Sequence, residues 1–170
     1  MNHNNIWQHE SESTLRRLEE NDPSLKVLAV TLADLANHLE CRVGVFVLSE
    51  DVDLTRLSSA VERCTNVSIV LIDGGIEDAT PQSRATFFER VKQNPHISYV
   101  RLFACNFSVG EIGREVASSM LEDNTNLRDL LLESCTISAS DVLGEGGMMS
   151  SLSGCSNLES LEIQQSNLND

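Results

Sequence analysis

Two glycine-bearing stretches come nearest to a phosphate-binding loop. In LIDGGIED, Gly74 and Gly75 follow an apolar run and Asp73 stands where a strand would end; in GEGGMM, Gly144, Gly146 and Gly147 come together. Phosphate recognition of this kind needs GxGxxG opening a helix, or glycines followed by a lysine, so that backbone N–H groups and an ammonium converge on one anion. Neither stretch has that pattern. The glycines at 74 and 75 read as a turn, and those from 144 to 147 as an outer loop. His3, His9, His38 and His96 are scattered, and no GxSxG, HExxH or HxExxH motif is present. Cys41, Cys64, Cys105, Cys135 and Cys155 include no CxxC spacing, and two thiols without further ligands make a poor zinc site. The expectation is therefore a non-enzymatic protein with no cofactor, no metal and no catalytic residue.

Charge narrows the partners. Against 12 Lys and Arg stand 26 Asp and Glu, a net charge of −14, which opposes binding to a nucleic-acid backbone or an anionic membrane. Proteins with a basic surface suit such a chain better. The odd cysteine number points to a reducing compartment, the cytoplasm, rather than a disulfide framework. No apolar stretch approaches the length of a membrane span, and MNHNNIWQHESES is polar rather than signal-like. "NVS" at Asn66 and "NFS" at Asn106 match the glycosylation tripeptide and read as ordinary turn and strand residues.

The elements that would position any site are written as a repeat. LRDLLLESCTI at 127–137 places Leu127, Leu130, Leu132, Cys135 and Ile137 in an order that ISYVRLFACNF repeats with Ile97, Val100, Leu102, Cys105 and Phe107. VSIVLIDGGIE matches at Val67, Val70 and Ile72 with Gly75 in the fourth place, and LESLEIQQSNL at Leu158, Leu161, Ile163 and Leu168 with Ser166 there. The starts at 67, 97, 127 and 158 are 30, 30 and 31 residues apart, with lead-ins CTN, NPH, NTN and CSN. Four copies at one period imply stacked units, a solenoid. Within a unit the order describes a short strand with alternate residues inward, then a turn where a small side chain with a weak donor serves buried backbone groups. Helical spacing follows at Phe87, Phe88 and Val91 and at Ile112, Val116, Met120 and Leu121. Thr80 before Pro81, and Ser108 with Glu111, supply helix starts. The glycines leave the last unit a loop and a short helix from about Met148 to Leu152.

This order resembles the leucine-rich repeat family, LxxLxLxxN/CxL, and the unit length with a full helix is similar to its ribonuclease-inhibitor-like class. The resemblance covers residues 67–168. It implies a right-handed α/β solenoid, a horseshoe with parallel strands on the concave face and helices outside, used mostly as a binding scaffold.

Before residue 67 the period fails. Residues 1–11 read as a loosely ordered tail, and 12–66 as a degenerate repeat or cap with a helix at 12–20, strands at 25–30 and 42–49, and helices at 32–39 and 54–64. Residues 67–170 form the repeats, open or truncated after Leu168, with Leu161 and Ile163 lining the open end.

Between the inward residues, each strand presents others to the concave face: Ile69, Leu71 and Asp73; Tyr99, Arg101 and Phe103; Asp129, Leu131 and Glu133; Ser160, Glu162 and Gln164. Apolar and aromatic residues beside carboxylates compose a protein-binding patch, and the first nine are the expected contacts. Two other expectations stand beside this one. The repeats could be the recognition or regulatory arm of a larger protein, such as a ligase adaptor or GTPase regulator. A small α/β enzyme with its site at LIDGG would instead show a strand order and crevice foreign to a simple stack.

Overall fold

The computed structural model describes residues 3–31, 43–47, 54–107, 112–138 and 147–169. Strand β1 (Val27–Thr31), β2 (Val43–Val47), β3 (Ile69–Asp73), β4 (Tyr99–Phe103), β5 (Asp129–Glu133) and β7 (Ser160–Gln164) form one sheet, ordered β2-β1-β3-β4-β5-β7, in which every pairing is parallel. Two short strands, β6 (Thr136–Ser138) and β8 (Asn167–Asn169), pair beside it. The α/β class and the parallel sheet expected from the pattern are present.

From β3 onward the pairing falls where the sequence pattern puts it. Val70, Val100, Leu130 and Leu161 are register partners in successive strands, as are Ile72, Leu102, Leu132 and Ile163. All but the last of each row are buried. They meet one continuous apolar cluster supplied by the helices. Helix α1 (His3–Glu19) buries Ser11, Thr14, Leu15 and Leu18; α2 (Leu54–Arg63) buries Leu54, Leu57, Ser58 and Val61; α3 (Pro81–Gln93) buries Arg84, Phe87, Phe88 and Val91. Each set has the i, i+3, i+4, i+7 spacing of one helix face. Helix α4 starts as Ile112–Glu115 and widens into π-turns over Val116–Leu121, where Glu122 N–H reaches back to Ala117 O at 2.8 Å. Helix α5 (Met148–Leu152) has the bounds expected from its sequence. Neighbouring helices contact one another in the order α1, α2, α3, α4, α5.

The small fourth-place residues do what their chemistry suggests. Cys135 Sγ donates to Leu102 O and Glu133 O at 3.4 Å each, and Cys105 Sγ to Phe103 O at 3.6 Å. Ser166 Oγ accepts from Cys135 N–H at 3.1 Å. Just before each of these residues the chain turns through a positive φ, 53° at Ala104, 55° at Ser134 and 51° at Gln165. The first unit turns differently. There Gly74–Asp78 forms a 3-10 helix capped by Asp73, whose Oδ1 accepts from Gly75 N–H at 2.8 Å, and a Cβ on Gly74 would stand 2.4 Å from Ala104 O.

The lead-in residues tie each unit to the one before. Asn94 donates to Val61 O and Cys64 O at 2.6 and 2.7 Å, and Cys155 Sγ to Leu121 O at 3.0 Å. Two residues further on, Asn66, Asn126 and Asn157 donate to Asn21 O, Lys92 O and Thr125 O at 2.8, 3.0 and 2.6 Å.

The N-terminal part departs from the expectations. Helix α1 begins at His3, within the stretch read as a tail, because a stripe ending in Leu15 and Leu18 packs against the sheet. Strand β2 lies outside β1, so β3 pairs with β1 and not with the strand that precedes it. Sequence order and spatial order part there. The helix expected at 32–39, the Ser108 and Glu111 start and the glycine loop at 144–146 lie outside the described residues.

Candidate functional site

The front face of the sheet, opposite the helix-packed rows, is a grid whose rows follow from the register. One row runs Val27, Ile69, Tyr99, Asp129, Ser160; the next Ala29, Leu71, Arg101, Leu131, Glu162; the third places Thr31 near Asp73, then Phe103, Glu133 and Gln164. Eight of the nine expected contact residues are half-buried here: Ile69, Leu71, Tyr99, Arg101, Phe103, Asp129, Leu131 and Glu133. They are contiguous, since strands about 4.8 Å apart bring register partners into contact.

Asp73 is the exception. It is 5% exposed, and its carboxylate accepts from the Thr31 hydroxyl as well as from Gly75 N–H. Sequence alternation put it on the front face correctly, but that end of the sheet is covered: Ala29, Thr31 and Val47 on the same side are also buried. Asp73 acts as a capping residue for the turn and is withdrawn from the accessible patch.

The remaining residues are graded across the strands. Apolar Ile69 and Leu71 occupy β3, aromatic Tyr99 and Phe103 with Arg101 occupy β4, and β5 carries Asp129 and Glu133 on either side of Leu131, with Glu162 beyond on β7. Arg101 sits at the centre of the grid. Its Nη2 lies 2.7 Å from Glu133 Oε2, and its Cζ lies 5.5 Å from the Phe103 ring centroid. Its buried Nε has no hydrogen-bond partner among the described residues. With side chains 33% and 21% exposed, the Arg101–Glu133 pair is worth about 1 kcal/mol or less on its own. Its larger effect is to hold the guanidinium over the Phe103 ring, within cation–π range.

Tyr99 reports the field. Its hydroxyl is raised above the ordinary 10.0, first because it is partly desolvated, with Arg101 opposing and Glu162, Asp129 and Glu133 adding to the rise. An aromatic face beside three carboxylates suits a cationic side chain, which gains from both the ring and the charges.

Among the described residues Cys64, Cys105, Cys135 and Cys155 are free and buried. Cys105 and Cys135 end adjacent strands in the core; Cys105 is held well above the usual thiol range by its hydrogen bond with Cys135 and by burial. A thiol kept neutral and enclosed is a poor nucleophile. Among the described residues no group of three or more His, Cys, Asp or Glu is arranged to hold a metal ion, and no described helix is long and apolar enough to cross a membrane. Asn124, the counterpart of Asn94, donates to Met120 O at 2.9 Å and accepts from Asn126 and Leu127 N–H at 2.9 and 3.0 Å; sequence reasoning missed these lead-in bonds, although the recurring CTN, NPH, NTN and CSN carried their signal.

No protein-family model matches the chain, and no curated protein matches it in sequence.

Proposed function

We propose that this chain is a leucine-rich-repeat solenoid of the ribonuclease-inhibitor-like type, working without catalysis as a scaffold that binds a basic protein partner on the front face of β3–β5. The supporting observation is the front-face grid: apolar residues on β3, two aromatics around an ion-paired arginine on β4, then carboxylates beside Leu131 on β5, opposite the rows that pack against the described helices. Regular register and the recurring turn and lead-in bonds support the repeat reading. A surface preordered by hydrogen-bonded strands loses little conformational entropy on binding. Hot-spot anchoring falls to Tyr99 and Phe103, with Asp129, Glu133 and Glu162 taking the partner's lysines or arginines. A protein of this composition belongs in the cytoplasm, alone or as the recognition arm of a larger assembly.

The test is capture from a native extract with the wild type, a Tyr99→Ser/Phe103→Ser variant and a Glu89→Ser control on α3. The expected result is a basic protein held by the wild type and control, lost with the double variant and weakened by salt. Equal capture by all three would overturn the reading.

A second reading has one observation in its favour. The order β2-β1-β3 reverses the direction of strand addition, and Thr31 and Asp73 meet at the strand ends where it reverses, the place where open α/β sheets bind ligands. It requires nucleotides or small acids to raise the melting temperature by an amount that grows with the logarithm of their concentration once this exceeds Kd; a flat response across such a panel would remove it.

A further inference from the structure

The buried thiols of the core fall at two kinds of place in the repeat. Cys64 and Cys155 open lead-ins, donating to Asn21 Oδ1 at 3.5 Å and Leu121 O at 3.0 Å. The units between them carry Asn94 and Asn124 at that place, so neither thiol has a sulfur neighbour among the described residues. Cys105 and Cys135 instead hold the fourth place of consecutive units. The backbone clamps them side by side: Ala104 N–H donates to Glu133 O at 2.9 Å just before the pair, and Thr136 N–H donates to Cys105 O at 3.0 Å just after it. Both stretches arrive through the same left-handed turn, with φ 53° at Ala104 and 55° at Ser134. Neighbouring strands lie about 4.8 Å apart, and that separation is inside the roughly 4.4–6.8 Å between the Cα atoms of a disulfide. The sulfurs converge as well. Cys135 Sγ reaches across to Leu102 O of the adjacent unit at 3.4 Å, Cys105 Sγ meets the next carbonyl, Phe103 O, at 3.6 Å, and the two thiols share a hydrogen bond.

We infer that Cys105 and Cys135 form a reversible oxidation site, closing as a disulfide across the ends of β4 and β5 when a hydroperoxide reaches them. Cys135, as thiolate, attacks one peroxide oxygen: an S–O bond forms, the O–O bond breaks, and the departing hydroxide takes up the proton released from the thiol. The Cys105 sulfur then attacks the sulfenic sulfur of Cys135; the S–S bond forms, the S–O bond breaks, and the second hydroxide leaves with the Cys105 proton. Two thiols and one hydrogen peroxide thus give one disulfide and two waters, with two electrons passing from sulfur to oxygen. The order of attack follows from the shared hydrogen bond, which lowers Cys135 from its ordinary 9.0 and raises Cys105. The first proton of the pair therefore leaves from Cys135, and the thiolate is the nucleophile. Both sulfurs are enclosed, at 2% and 0% exposure, but the turn residue Ala104 beside them is exposed, and a hydroperoxide is small enough to enter as such a turn opens locally. A dithiol reverses the bridge by exchange. This site is independent of the front-face reading, because it uses neither a partner nor the front-face residues.

The test treats the folded full chain with hydrogen peroxide, alkylates the remaining thiols and maps the cysteines by mass spectrometry. The expected product is a pair of peptides joined through Cys105 and Cys135, two hydrogens lighter than the reduced pair and separated again by dithiothreitol. Cys64→Ser/Cys155→Ser should form the same bridge at an unchanged rate. Cys105→Ser should stop at a sulfenic acid on Cys135 that dimedone traps, whereas in Cys135→Ser the remaining Cys105 should oxidise at least about tenfold more slowly than Cys135 does in the wild type. Serine already serves the fourth place at Ser166, so these variants keep the turn, and circular dichroism checks each. Oxidation of Cys64 or Cys155 as fast as Cys135 overturns the inference. So does a bridge that forms only at urea concentrations that unfold the chain, or a folded Cys105→Ser chain that gives no dimedone adduct.

Discussion

Replacing Asn94 by Ala removes the most heavily used of the lead-in side chains. Asn94 is 1% exposed and donates to Val61 O at 2.6 Å and Cys64 O at 2.7 Å while accepting from His96 N–H at 2.9 Å. Three bonds at about 1 kcal/mol each set a first figure of ~3 kcal/mol. Two corrections act on it. Val61 O keeps a bond from Cys64 N–H at 3.3 Å, and His96 is exposed, so water can serve its N–H. Against that, Cys64 O is left buried at the end of α2 without its partner, which costs about 1–3 kcal/mol. The expected loss is about 2–4 kcal/mol, or a fall in melting temperature of about 5–15 °C for a chain of this size. Asn157 is the internal control, being exposed with one bond, to Thr125 O at 2.6 Å; Asn157→Ala should cost about 0.5 kcal/mol. Urea unfolding followed by circular dichroism measures both. If Asn94→Ala costs less than about 1 kcal/mol and matches Asn157→Ala, the argument that lead-in residues bolt one unit to the next is refuted.

Further outcomes follow from other contacts. Arg84→Ala should cost about 3–5 kcal/mol, because it strands the enclosed Glu115 carboxylate, 2.8 Å from Arg84 Nε, whereas Arg84→Met with Glu115→Leu should recover most of that loss in the same unfolding assay. Gly74→Ala should destabilise by about 1–3 kcal/mol, since its methyl must push Ala104 O aside; an unchanged urea midpoint would contradict the close approach. Asp22 is held down to about 2 by Arg17 and Ser24, against an ordinary 3.8. A depressed carboxyl stabilises the fold above the unfolded value and loses that contribution as pH falls from about 4 toward 2. Asp22→Asn should therefore flatten stability against pH in that window, and an identical slope would count against the pairing. The chain has one tyrosine, so a phenolate absorbance titration reads Tyr99 alone; its midpoint should lie above 10.0 and fall in Asp129→Asn/Glu162→Gln.

Much of the sheet could be read in the chain because its rule is local. Val70, Ile72, Val100, Leu102, Leu130 and Leu132 occupy fixed places in a recurring order, and strand alternation alone settles which face each takes. The front face followed from the same rule, since its residues are the letters between. What the rule leaves undetermined is spatial order. Nothing local in VLAVT or VGVFV says that β2 lies outside β1, because both are short apolar strands that could pair on either side. Asp73 shows the same gap at one residue: alternation gives its face, but burial depends on what covers that end of the sheet. The full length of helix α1 is not legible because its first residues are largely polar, while its fixing to β2 depends on Ser11 and Thr14, whose partners lie more than thirty residues away. The role of Asn94 is not legible locally because its bonds reach back to the end of the preceding helix, across units that only the repeat spacing relates.

The central claim is that the front of β3–β5 recognises a basic protein segment, and photo-crosslinking from Leu131 tests it most directly. A photoreactive residue at Leu131, in native extract, should give adducts with a protein through a lysine- or arginine-rich peptide. Those adducts should vanish with Tyr99→Ser/Phe103→Ser and thin out as salt is raised. Adducts that persist in the double variant, or that form only from a photoreactive residue placed at Glu89 on α3, would contradict it.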